Sequence, residues 1–133
     1  MGGYAGRWSM VSQLNEMGLL GPDTTYIHCN YLSDDEFQLI ADTGGKISIA
    51  PSVEMVMGHG TPPTAKALAH GLRPSLSIDV VSSVPGDMFT QMRFLFASAR
   101  LRAMCLRAIH RNVRALLEAN RTRRVLLGSC AEP

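Results

Sequence analysis

Several absences narrow this 133-residue chain before any motif is read. No apolar run approaches the roughly 20 residues that span a bilayer, which excludes an integral membrane protein. The first eight residues, MGGYAGRW, lack the basic, apolar and small-residue order of a secretory signal, so a cytoplasmic location is expected. Cysteine is scarce: Cys29, Cys105 and Cys130 form no CxxC pair and leave an odd thiol, which argues against a disulfide framework or a structural zinc cluster. Lysine disappears after Lys66, and aromatic residues make up only 6% of the chain. Length is also short: 133 residues suit one domain but fall well below the roughly 250 of a closed eight-stranded α/β barrel.

What is present is ordinary in bulk and uneven in detail. A 46% hydrophobic fraction fits a soluble globular domain able to bury a core. The net charge of +2 hides an asymmetry: residues 1–92 carry four basic and nine acidic side chains, and residues 93–133 carry nine arginines against Glu118 and Glu132. An acidic segment is thus followed by a tail in which arginine supplies all positive charge.

The pattern along the chain alternates between helix and strand. Val11, Leu14 and Met17 recur at helical spacing before Gly18, predicting a helix over 8–17. Thr25 to His28 reads as a short strand, and Ser33 with Glu36 three residues on is a capping box that starts a helix over 34–43. Phe37, Ile40 and Ala41 form its inward stripe, and Gly44-Gly45 ends it. Residues 46–50, KISIA, alternate isoleucines as a second strand closed by Pro51. Residues 52–61 read as a loop, with Thr61 as N-cap of a further helix whose Ala65, Leu68 and Ala69 face inward. Leu76 and Ile78 mark a third strand ending at Asp79, and a last helix runs from about Asp87 to Asn120. Its apolar side is Leu101, Cys105, Ala108, Val113 and Leu116, and Arg100, Arg107, Arg111 and Arg114 share another face. Strict alternation with short links predicts an α/β fold with three parallel strands covered by helices. Three strands cannot close a barrel, so open sheet edges make a homo-oligomer one expectation.

Chemistry concentrates at two strand ends. His28 and Asp79 each close a strand-like run, and the C-terminal tips of a parallel sheet are where ligands gather. One histidine and one carboxylate are too few to hold a catalytic metal unaided. Each residue also has a plainer reading: Asp79 as a turn former, His28 as a core or capping histidine, Glu54 as a solvated carboxylate. His59 reads equally as a substrate contact or an ordinary loop residue, and His70 as a helix-end histidine favoured by the dipole.

From Gly18 to about Arg93 the chain resembles the amidohydrolase superfamily, in its branch of triazine hydrolases and nucleobase or S-adenosylhomocysteine deaminases. The segments that carry this are YIHCN at 26–30, DDEF at 34–37, DTGG at 42–45, APS at 50–52, GHG at 58–60, SID at 77–79 and GDMFTQMR at 86–93. Their shared order and spacing make the match specific. The resemblance implies that the strands correspond to the sixth, seventh and eighth of a (β/α)8 TIM barrel, with residues 1–92 a half-barrel segment and 93–133 an Arg-rich helical tail. It also implies a divalent metal, Zn2+ or Fe2+, and hydrolytic deamination or dechlorination of a nitrogen heterocycle, a small-molecule substrate. Asp79 then matches the aspartate that serves as metal ligand and proton shuttle. His28 matches the histidine beside the metal, and both are metal and catalytic candidates. Glu54 and His59 are candidate substrate contacts, although PSVE at 51–54 departs from the branch's commonest Pro-x-Ser-Asn.

The family's first-strand His-x-His pair and its fifth-strand histidine have no counterpart, and His59 and His70 do not replace them. An incomplete, inactive hydrolase segment is therefore expected. The alternative is a non-catalytic binding module whose Arg100, Arg107, Arg111 and Arg114 face engages an acidic partner or RNA. A solvated arginine face is the plainer expectation, since no aromatics interleave to stack bases. The arginine-, alanine- and leucine-rich ending also fits drift by truncation or a shifted reading frame.

Overall fold

A computed structural model describes residues 9–128; Cys130 and Trp8 lie outside the described residues. The described residues form two packing units, one up to Ala99 and one from Arg100 onward.

In the first unit the elements are α1 (Met10–Glu16), β1 (Thr25–Ile27), α2 (Asp34–Asp42), β2 (Lys46–Ile49), α3 (Pro51–Val56), α4 (Thr64–Ala69) and β3 (Ser75–Leu76). The helix α5 (Met88–Gly128) begins in this unit and continues into the second. The three strands form one parallel sheet in the order β1-β2-β3, with Tyr26 opposite Ile47 and Ile49 opposite Leu76. The fold is therefore the expected α/β alternation with three parallel strands and a long C-terminal helix.

Local chemistry explains most boundaries. Both limbs of the predicted capping box form: Glu36 N donates to Ser33 Oγ at 3.2 Å, and Ser33 N donates to Glu36 Oε2 at 2.9 Å. Ser9 Oγ donates to the other carboxylate oxygen, Glu36 Oε1, at 2.7 Å, tying the start of α1 to the start of α2. Phe37 and Ile40 of α2 are fully buried with Val11, Ile47, Ile49, Ala67 and Leu72 in the main core. His70 caps the C-terminal end of α4 and stacks on Phe37 at 5.9 Å, while Lys66 Nζ lies 5.3 Å from the same ring. A smaller cluster of Ala50, Val53 and Val84, with Ile78 and Val80 against it, fills the ends of β2 and β3.

Four sequence expectations are corrected. The presumed loop after β2 opens with α3, because Pro51 stands at the first helical position with its φ already set. The outer strands stop short of their predicted ends, β1 at Ile27 rather than His28 and β3 at Leu76 rather than Asp79, and the left-handed φ of +67 at His28 and +66 at Asp79 keeps both residues out of the strands. Only Ala67 of α4 is buried; Ala65, Leu68 and Ala69 are exposed, because the helix starts only at Thr64 and its six residues make less than two turns, too few to lay a stripe against the core. In the second unit Leu101, Cys105 and Val113 are exposed along α5, so the predicted apolar stripe is not covered there; the Leu116 side chain lies outside the described residues. Among the described residues no helix is long and apolar enough to cross a membrane.

Candidate functional site

The two outer strands and the helix after the central one bring four of the predicted residues together. His28 follows β1, and its backbone N–H still donates to Ser48 O of β2 at 2.8 Å, which pins the strand tip. His28 and Cys29 then both take left-handed backbone, at φ +67 and +62. Asp79 beyond β3 does the same. Left-handed backbone costs a non-glycine residue on the order of 1–2 kcal/mol, and such outliers cluster where function over-determines geometry. His28 Nε2 lies 3.8 Å from Asp79 Oδ2, with both side chains about one-third exposed.

Glu54, read from sequence as solvated, is instead fully buried. The reason is that α3 starts directly at Pro51 and turns residue 54 back over its own N-terminus, where Ala50 N donates to Glu54 Oε1 at 2.8 Å. The same oxygen faces His28 Nδ1 at 3.2 Å, and Glu54 Oε2 accepts from Asn30 Nδ2 at 3.3 Å. Asn30 also donates to Thr61 O at 3.2 Å, which holds the far end of the segment after α3. His59 lies between Gly58 and Gly60, both left-handed, and its ring meets that of His28 edge-on at 5.7 Å. His70 stands apart from this group, bonded to Asp34 and Gln38 of α2.

Sequence reasoning missed three participants. Asn30 and the Ala50 amide matter only through the buried carboxylate, 24 and four residues away. Gln91 of α5 is fully buried and accepts from Ser52 Oγ at 2.7 Å and Ser52 N at 3.2 Å, fastening α3 to α5. A short polar side chain at the start of α3 was the available signal for Ser52; nothing local marks Gln91. Cys29 is buried beside His28, and burial first, then the nearby Glu54 and Glu36 charges, push its thiol up to about 12. It therefore stays a protonated core thiol rather than a nucleophile.

As a metal centre the arrangement is partial. A catalytic zinc ordinarily takes three protein ligands. His28 offers Nε2, its Nδ1 being engaged by Glu54, and Asp79 offers a carboxylate. Among the described residues no group of three His, Cys, Asp or Glu is arranged to hold a metal. The described residues thus do not by themselves fit a divalent ion.

Similar proteins point the same way as the geometry. No family model matches the chain. It is 38% identical over 84 residues to a 5'-deoxyadenosine deaminase of Methanothermobacter thermautotrophicus, covering 62% of this chain and 20% of that protein. It is 34% identical over 95 residues to a 5-methylthioadenosine/S-adenosylhomocysteine deaminase of Nitratidesulfovibrio vulgaris, covering 71% and 22%. Among solved structures it resembles an adenosine deaminase from Xanthomonas campestris with bound zinc, at TM-score 0.64 and 21% identity over 70% of this chain and 21% of that one. An amidohydrolase from Brucella melitensis gives TM-score 0.61 and 26% identity over 71% and 20%. The chain spans about a fifth of the length of the curated relatives it matches. The fold is thus a segment of a TIM-barrel-like α/β architecture. Within that class, the matched part of the chain is similar to amidohydrolase-superfamily proteins, the deaminases and the amidohydrolase just described among them.

Proposed function

We propose that residues 18–93 supply the rim of an amidohydrolase-type site whose parent reaction is hydrolytic deamination or dechlorination of a nitrogen heterocycle. The observation that carries this reading is the approach of His28 Nε2 to Asp79 Oδ2, 3.8 Å apart at the ends of two outer strands. In it, the Asp79 carboxylate takes a proton from water and returns it to the leaving group. His28 turns its Nε2 lone pair toward the same space and orients water or substrate. His59 completes the substrate side of the rim by its ring edge, and the buried Glu54 reaches that side only through His28, which it backs. A divalent ion, zinc or iron, belongs to this reading as a group for which His28 and Asp79 supply part of the donor set. The substrate is a small molecule and the setting cytoplasmic, and the open edges of β1 and β3 make self-association part of the reading.

Metal analysis and a deaminase assay on the purified chain test it. The expected result is weak zinc retention, lost in Asp79→Asn, with no turnover of adenosine-type substrates. Tight stoichiometric zinc with turnover would refute the incompleteness, and zinc retention unchanged in Asp79→Asn would refute the role of Asp79.

A second reading is favoured by one observation: Arg100, Arg107, Arg111 and Arg114 are all exposed along α5. Such a face suits an acidic partner or RNA, and binding that weakens with salt and vanishes when the four become glutamine would support it. Retention indifferent to that change would end it.

A further inference from the structure

We infer that Glu54 is the positioning residue of His28, fixing which ring nitrogen carries the proton and which faces Asp79. The inference rests on the reading of His28 as a site residue and adds the group through which it is held. A buried carboxylate is costly unless its oxygens are fully bonded. Here three donors converge on it from two strand tips: Ala50 N after β2, and His28 Nδ1 and Asn30 Nδ2 after β1. A carboxylate offers acceptors only, so the ring nitrogen facing it must be the protonated one. Nδ1 therefore holds the proton, and Nε2 presents its lone pair on the side of Asp79 Oδ2. At 3.8 Å that second contact exceeds the roughly 3.2 Å of a hydrogen bond. Two acceptors facing each other across such a space are complementary to a proton donor set between them, which is what a water or an amino group would provide.

The same carboxylate offsets local strain. His28 and Cys29 are consecutive left-handed residues without the freedom of glycine, and both side chains that flank Cys29, those of His28 and Asn30, end on Glu54. Capping of α3 alone would need only the bond from Ala50 N. The extra bonds to β1 are what a positioning role requires.

Nitrogen-15 NMR of the histidine-labelled full chain tests this in alkaline buffer, where ring nitrogens with and without a proton give distinct signals. His28 is identified by the signal lost in His28→Asn. The expected wild-type result is a proton on Nδ1. Glu54→Gln should retain that form, because the amide oxygen can still face Ala50 N and His28 Nδ1, while Asn30 turns its Oδ1, now without a protein partner, to the new amide nitrogen. Glu54→Ala should shift the tautomer ratio about tenfold toward Nε2–H, the order expected for losing one charge-assisted hydrogen bond. A wild-type proton on Nε2 overturns the inference without any variant, and so does a folded Glu54→Ala chain whose tautomer is unchanged, which would leave Glu54 as a helix cap only. The outcome is independent of zinc and turnover. A failure there with the Nδ1 proton in place leaves the positioning intact, and an Nε2 proton with the Asp79-dependent zinc retention in place removes Glu54 alone.

Discussion

Replacing Gly45 by alanine should damage the fold far more than its single methyl group suggests. A Cβ built on Gly45 would lie 2.9 Å from Tyr26 Cε2, 3.1 Å from Ile40 Cγ2 and 3.3 Å from Ile40 O. Ordinary carbon contacts sit at roughly 3.5–4.0 Å, so all three are too close. Ile40 cannot yield: it is fully buried, and its carbonyl accepts from Gly45 N at 2.9 Å. The strain must pass to Tyr26, which lies opposite Ile47 on β1, the strand just before His28. Overpacking of this kind costs about 1–3 kcal/mol. Gly58→Ala is the control, because no heavy atom lies within 4 Å of its Cβ and only the left-handed φ of +74 opposes it. Its cost should be about 1 kcal/mol. Urea unfolding followed by near-ultraviolet circular dichroism would give both values. In a Tyr26→Leu background the Gly45→Ala penalty should shrink by at least ~1 kcal/mol, a coupling expected only for touching residues. A Gly45→Ala chain within about 0.5 kcal/mol of wild type, or a penalty untouched by Tyr26→Leu, would refute the reasoning.

Other expectations follow from buried and strained groups. Desolvation would raise the Glu36 carboxyl, but bonds from Ser33 N, Ser9 and the Ser33 side chain outweigh it and hold it below the ordinary 4.5. Its contribution to stability is therefore complete above pH 4.5 and lost as pH falls through the lowered folded value. Ser33→Ala should cost about 1 kcal/mol at neutral pH, and the gap to wild type should narrow in acid unfolding below that point. Asp79→Gly should abolish the Asp79-dependent zinc retention while leaving stability unchanged or raised by up to ~1 kcal/mol in urea titrations, because glycine relieves the left-handed backbone. Phe37→Ala removes a fully buried ring that also carries His70 and Lys66, and should cost about 3–5 kcal/mol in the same titrations. Peptide mapping after brief exposure to a thiol reagent at neutral pH should find Cys105 modified and Cys29 intact, as the first is exposed and the second buried.

Much of the scaffold was legible because it is written in short-range chemistry. Ser33 and Glu36 declare the start of α2 within four residues, Gly18 and Gly44 stop helices by their left-handed backbone, and alternating isoleucines mark β2. The meeting of His28 and Asp79 was legible for a different reason: in a parallel sheet all strand ends lie on one side, so residues far apart in sequence converge without any local signal linking them. Glu54 was not legible in the same way. Its burial depends on α3 beginning at Pro51 and on partners 24 and 26 residues upstream, and a lone glutamate in a glycine-flanked stretch gives no hint of either. Residues 61–69 misled for a related reason, since a helix of six residues is too short for its periodicity to tell which side meets the core.

The strands flanking β2 leave the sheet through a histidine and an aspartate in left-handed backbone, whereas the central strand leaves through a proline. That arrangement restricts the alphabet from which these two places can draw. Glycine, asparagine, aspartate and histidine tolerate such a turn best, and β-branched residues scarcely at all. Substitution over evolutionary time would therefore tend to exchange one polar or proton-carrying group for another, or to erase it with glycine, leaving the path of the chain unchanged while its reactivity is rewritten.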